Sequence, residues 1–88
     1  MTLLDVRTDA EWRQGHIAGA VHHDVQRLAD GVMPDIDKRT ELLVYCRSGA
    51  RAGMAVELLR RAGYINAQNI GGIDNAMQYG SLVQGDNA

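Results

Sequence analysis

Cys46, Arg47, Ser48, Gly49, Ala50 and Arg51 put the chain's only thiol, two guanidinium groups and a glycine into six consecutive positions. Leu42-Leu43-Val44-Tyr45 runs straight into the cysteine, and a helical pattern starts directly after the loop. A sulfur placed where a strand ends and a helix N-terminus begins, beside positive charge, is biased toward thiolate. Thiolate is the form that attacks sulfur, phosphorus or carbon electrophiles. If the backbone N–H groups of Cys46 to Arg51 turn inward, they make a nest that stabilises a thiolate, a persulfide anion or a substrate oxyanion. Gly49 allows the positive φ such a turn needs. Arg47 and Arg51 can each offer bidentate hydrogen bonds to an oxyanion. Ser48 reads as a turn residue rather than a catalytic hydroxyl.

No general base stands beside the cysteine in sequence. Attack of a thiolate on a sulfane sulfur needs none, because no proton moves in that step and sulfite leaves as a stable anion. Cysteine-protease chemistry requires a histidine to protonate an amine leaving group, so the loop argues against it. Loop length argues further. Cysteine-dependent phosphatases and arsenate reductases place five residues between cysteine and arginine, around a tetrahedral centre. Here four intervene, Arg47 to Ala50, a smaller cradle suited to a terminal sulfur.

The elements that must position this loop alternate. Thr2 to Val6 reads as a short buried strand, and Thr8-Asp9-Ala10-Glu11 is a capping box that starts a helix through about Gln14, ended by Gly15. Ile17 to His22 leads into a second short strand, and Asp24 can cap a helix whose apolar positions are Val25, Leu28 and Ala29. Gly31 to Thr40, with the single proline, reads as a surface connection. Leu42 to Tyr45 is apolar at consecutive positions, as in a parallel strand covered on both faces. In the helix after the loop, Ala52, Ala55, Val56, Leu59 and Ala62 line one face, with Met54 and Leu58 expected as core or near-core filling. Gly63 stops it. Ala67 to Ile70 reads as a fourth strand, Gly71-Gly72 as a tight turn, Asp74 to Tyr79 as a short helix, and the tail after about residue 80 is expected to fray. This order predicts an open, mostly parallel α/β sheet, in which ligands bind beyond the carboxyl ends of the strands. Cys46 follows such an end.

Asp5 and Arg7 lie at the end of the first strand, where they read as a structural pair or as part of the site rim. His16 reads as a hydrogen-bonded structural residue. His22 and His23 are adjacent and point to opposite faces of a strand, so they cannot share a metal, and no metal site is expected.

The bulk composition narrows the class. Eighty-eight residues make one small domain, spanning 1–88. A formal net charge of −2 gives no electrostatic case for nucleic acid, and no apolar run reaches the ~20 residues of a membrane span. One cysteine excludes an internal disulfide framework. The start, Thr2-Leu3-Leu4-Asp5, is strand-like rather than a leader, so a cytoplasmic location is expected, or a periplasmic one had a leader been removed.

Several segments, in order, carry a resemblance: Leu4-Asp5-Val6-Arg7, then Glu11 followed by Gly15-His16-Ile17-Ala18-Gly19-Ala20, then Val44 to Arg51, then Gly63-Tyr64 and Asn69-Ile70-Gly71-Gly72. Over roughly Leu3 to Met77 the chain resembles the single-domain rhodanese family, and is most similar to its compact phage-shock-type members. The resemblance implies a rhodanese-like open, mostly parallel sheet of about four short strands, flanked by helices on both faces. It implies a sulfurtransferase that moves a sulfane sulfur from thiosulfate or another persulfide donor to cyanide or a thiol acceptor, through a persulfide on Cys46. The backbone of Arg47, Ser48, Gly49, Ala50 and Arg51 is then the cradle, with Arg47 and Arg51 as anion contacts and no cofactor needed. A thioredoxin-like protein is one form the acceptor could take. Many relatives carry an extra strand and helix before the Asp-Val-Arg segment, a tryptophan where Ile73 stands and a serine or threonine where Ala52 stands. A sheet edge is accordingly expected to be open to another copy, giving a monomer or a weak dimer. A non-catalytic sulfur carrier or regulatory interaction module is the alternative from another functional class.

Overall fold

A computed structural model describes residues 1–85. Four parallel strands form one sheet in the order β3-β1-β4-β5, with β1 at Thr2–Asp5, β3 at Val21–His22, β4 at Leu42–Cys46 and β5 at Ala67–Gly72. The helices are α1 at Asp9–Gln14, α2 at Val25–Ala29, α3 at Ala50–Arg61 and α4 at Ile73–Ala76, the last continuing into a 3-10 turn at Met77–Tyr79. A separate antiparallel pair joins β2, His16–Ile17, to β6, Leu82–Val83.

Alternation along the two central strands explains the layers. Leu4, Val6, Leu42, Val44 and Cys46 pack on one side with Leu28 of α2 and Ala52, Ala55, Val56 and Leu59 of α3. Leu3, Leu43 and Tyr45 face the other side, against Ile17 and Ala76. Every residue of β4 is buried, as its unbroken apolar run predicts. Burying a leucine such as Leu4 or Leu42, both fully covered, contributes about 2 kcal/mol each. The capping box at Thr8 and Glu11 and the Asp24 cap both form as the sequence predicts. Tyr64 donates its hydroxyl to the Pro34 carbonyl at 2.7 Å, which pins the long connection before β4.

Three expectations change. Gly71-Gly72 is the end of β5 rather than a turn: the register slips between Val44 and Tyr45, so Gly71 pairs Tyr45 and Gly72 pairs Cys46. The irregularity lengthens β5 and brings the two glycines alongside the cysteine. The tail does not simply fray at 80, because Leu82–Val83 pair with Ile17 and His16; residues 86–88 lie outside the described residues. Met54 is 55% exposed. At 3.6 residues per turn it sits about 200° around α3 from Ala52, on the face turned away from the sheet.

Candidate active site

Cys46 is the last residue of β4 and is 1% exposed. Its surroundings are not simply hydrocarbon. The Gly49 amide donates to Sγ at 2.9 Å and the Ala52 amide donates at 3.4 Å. Both come from the turn that opens α3, where the first amides have no helical acceptor. Two N–H dipoles and the positive end of a twelve-residue helix therefore converge on the sulfur, a setting that stabilises negative charge there. Of the cradle expected at Arg47 to Arg51, the Gly49 amide reaches the sulfur, and Ala52, one residue further on, supplies the second donor.

The backbone around this turn is held from β5. Gly49 has φ of +104°, a conformation that favours glycine, and its carbonyl accepts from Asn69 Nδ2 at 3.0 Å. Asn69 Oδ1 in turn accepts from the Gly71 amide at 2.8 Å. A Cβ on Gly72 would overlap the Arg47 carbonyl oxygen, so that glycine is the space through which the loop passes.

The two loop arginines are used differently. Arg51 is bound at both ends of its guanidinium by Glu11, with Nη1 to Oε1 at 2.6 Å and Nη2 to Oε2 at 2.9 Å. The hydrogen bond from Arg51, aided by those from Thr8, holds the Glu11 carboxyl at about 2, below its ordinary value of 4.5, against the opposing effect of burial. Arg51 is raised, chiefly by the same hydrogen bonds, with the charge of Cys46 among the lesser causes. Arg47 is exposed and makes no ion pair among the described residues. It lines an open cavity of about 370 Å³ together with Arg7, Glu11, Ile73, Met77 and Leu82.

Asp5 and Arg7 form a structural pair. Asp5 is fully buried and Arg7 nearly so; Nη2 of Arg7 lies 2.7 Å from Asp5 Oδ2 and donates also to the Gly15 carbonyl at 2.6 Å. Arg7 reaches the cavity wall whereas Asp5 does not. His16 is structural: its Nδ1 lies 2.8 Å from the Trp12 carbonyl oxygen and its ring stacks on Trp12. His22 Nε2 sits 2.7 Å from the Arg7 carbonyl and His23 Nε2 sits 2.7 Å from that of Val32, so the two rings serve different segments.

Against known proteins, the model of the rhodanese-like domain matches residues 1–78. The chain belongs to the rhodanese-like family. It is 31% identical over 71 residues to the thiosulfate sulfurtransferase PspE of Escherichia coli (strain K12), covering 80% of this chain and 68% of that protein. It is 39% identical over 70 residues to a sulfurtransferase of Allochromatium vinosum, covering 80% of this chain and 64% of the other. Among solved structures, an E. coli rhodanese with anions superposes with a TM-score of 0.77 at 31% identity, over 96% of this chain and 98% of its own. The human single-domain sulfurtransferase TSTD1 gives 0.75 at 26% identity, over 91% and 83%. The mixed α/β sheet with its parallel strands is thus the rhodanese fold, and relatives at this similarity support a rhodanese-type sulfurtransferase. Among the described residues no helix is long and apolar enough to cross a membrane.

Glu11, Asn69 and Ala52 are site residues that reading the loop alone does not single out. Glu11 was visible as a helix cap, and its second partner lies forty positions away. Nothing in local sequence announces that contact. Gly72 acquires its place beside Cys46 from the slipped register of β5, whereas Asn69 lies just before the slip and acts through its bonds to Gly49 and Gly71.

Proposed function

We propose that this protein transfers a sulfane sulfur from thiosulfate, or a comparable donor, to cyanide or a thiol acceptor through a persulfide on Cys46. The observation that carries the reading is the pair of amides, Gly49 and Ala52, aimed at Sγ. They favour an anionic sulfur with no neighbouring proton acceptor. The thiolate attacks the terminal sulfur of thiosulfate; the sulfur–sulfur bond of the donor breaks and its electron pair leaves with sulfite. The sulfur stays as a persulfide anion, and in this scheme the amides of Ala50 and Arg51, in the first turn of α3 where a helix offers no acceptor, receive it. An acceptor then attacks the outer sulfur and Cys46 returns as thiolate.

In this scheme Arg47 meets the sulfonate oxygens at the cavity. Arg51 keeps the loop shaped by its bond to Glu11, and Arg7 steadies the floor through Asp5. Ser48 acts through its backbone as part of the turn. The physiological acceptor is a small thiol or a thioredoxin-like protein, and the protein works as a monomer or weak dimer. Incubation with thiosulfate followed by intact-mass measurement tests the scheme. A gain of one sulfur that is lost in Cys46→Ala is expected; no gain, or an equal gain in the variant, overturns it.

A further inference from the structure

The peptide that joins Gly49 to Ala50 is held from outside its own helix. The Gly49 carbonyl accepts twice, from the Gly53 amide at 3.0 Å along α3 and from Asn69 Nδ2 at 3.0 Å across from β5. A trans peptide is planar with its C=O and N–H antiparallel, and the described residues contain no cis bond. A carbonyl drawn down the helix therefore aims the Ala50 N–H out of the N-terminal end. At that end the Gly49 and Ala52 amides already meet Cys46 Sγ. The loop fixes this aim weakly by itself. Gly49 is the N-cap of α3 at φ +104°, with no side chain to close the first amides and no Cβ to restrict its backbone. Thr8 and Asp24 cap α1 and α2 by accepting from such amides. The same device at α3 would occupy the donors that an anionic sulfur needs. The restraint must then come from the carbonyl side.

Resting on the sulfur-transfer reading above, we propose that Asn69 is a positioning residue for that reaction, which aims the Ala50 N–H at the outer sulfur by holding the Gly49 carbonyl from behind. Its side chain suits the task. Oδ1 accepts from the Gly71 amide at 2.8 Å, a bond to the backbone two residues on that turns Nδ2 toward Gly49. A planar side-chain amide carries the acceptor and the donor together, which a carboxylate or a hydrocarbon of the same size does not. Gly71, at φ +94°, presents its amide from a conformation that favours glycine. Asn69 makes no hydrogen bond to Sγ and is not among the residues lining the cavity, so it acts through the peptide and not on the substrate. The edge strand β5 thereby takes part in sulfur transfer without contributing an atom to it.

The test follows sulfur loading from thiosulfate by intact mass over time, together with the Ala50 amide resonance before and after loading. Asn69→Leu is close in size and removes both hydrogen bonds without adding charge. It should lower the loading rate at saturating thiosulfate at least about tenfold, the lower edge of what a lost oxyanion donor costs. KM should stay within about twofold, because no substrate contact is touched. Asn69→Asp keeps the acceptor for Gly71 and sets a second oxygen against the Gly49 carbonyl, so its rate should fall further. Gln68→Ala, one position earlier on β5 at a side chain bonded to Glu41, should load as the wild type does. In the wild type the Ala50 amide proton should move downfield on loading, and in Asn69→Leu that movement should shrink. Wild-type loading rates in both Asn69 variants overturn the proposal, as does a slowed Asn69→Leu whose Ala50 signal moves as in the wild type. Either result, with the wild type loading normally, leaves the Cys46 reading standing, whereas a wild type that gains no sulfur overturns both.

Discussion

The ends of β1 and β4 lie side by side in parallel register, Asp5 opposite Tyr45, and each presents an acceptor to the backbone that follows it. At β1, Asp5 Oδ1 accepts from the Arg7 amide at 2.9 Å; at β4, Cys46 Sγ accepts from the Gly49 amide at 2.9 Å. The difference lies in what else the acceptor is given. Asp5 also takes the Arg7 guanidinium through three hydrogen bonds and is closed off. The sulfur is held by amides, and the arginine next to it in sequence, Arg47, is exposed. The same position in the fold therefore yields a fixed ion pair in one strand and, on the function proposed above, a reactive centre in its neighbour. What decides is whether a side-chain counter-charge has neutralised the acceptor.

The sharpest way to break this contrast is to remove the closing charge at β1. Asp5→Ala leaves Arg7 buried without its counter-charge, held only by the Gly15 carbonyl, and should cost about 3–5 kcal/mol, read as a lowered urea midpoint. A loss under about 1 kcal/mol would mean that water reaches Arg7 and that the two strand ends differ less than argued. At β4 the corresponding weakness is steric. Gly72→Ala forces the Arg47 carbonyl aside, which should cost about 2 kcal/mol and lower the rate of sulfur loading at least about tenfold. An unaltered loading rate would show that the amides on the sulfur do not depend on the glycine gap.

Arg47→Gln separates charge from scaffold. KM for thiosulfate should rise about tenfold while stability changes by less than about 0.5 kcal/mol, since the side chain is exposed. The smallest effect concerns the Glu11–Arg51 bond. Glu11 titrates at about 2 in the folded protein against an ordinary 4.5. Its contribution is therefore complete above about pH 4.5 and is lost as pH falls toward 2. Because the pair is part exposed, Glu11→Gln should cost about 1 kcal/mol at neutral pH, or roughly 4–8 °C in Tm. Melting curves of the two proteins should converge near pH 2; a constant gap would assign the cost to the cap at Thr8 instead.

Local rules made much of this molecule legible. The Thr8–Glu11 box, the Asp24 cap, the apolar run of β4 and the Ala52–Leu59 face of α3 each carry their signal within a few residues, and each forms as read. The strand-end position of Cys46 and the glycine turn after it were legible for the same reason. Hidden features were those that depend on distant partners. The bulge between Val44 and Tyr45 shifts Gly71 and Gly72 into β5, and no periodicity announces a one-residue slip. A two-residue strand such as Leu82–Val83 is too short to show alternation at all. Arg51 resembled Arg47 in sequence, and the carboxylate that separates their roles comes from another helix.

One consequence follows from the packing of α1. Trp12, the chain's sole indole, lies flat on His16 at 3.5 Å and 3° and is flanked by His22 at 4.9 Å, and it directly follows the glutamate that grips the cysteine loop. The protein thus contains its own optical gauge. Any catalytic cycle that tugs on that grip changes how closely the rings overlap, and intrinsic emission can follow turnover in real time without an added dye.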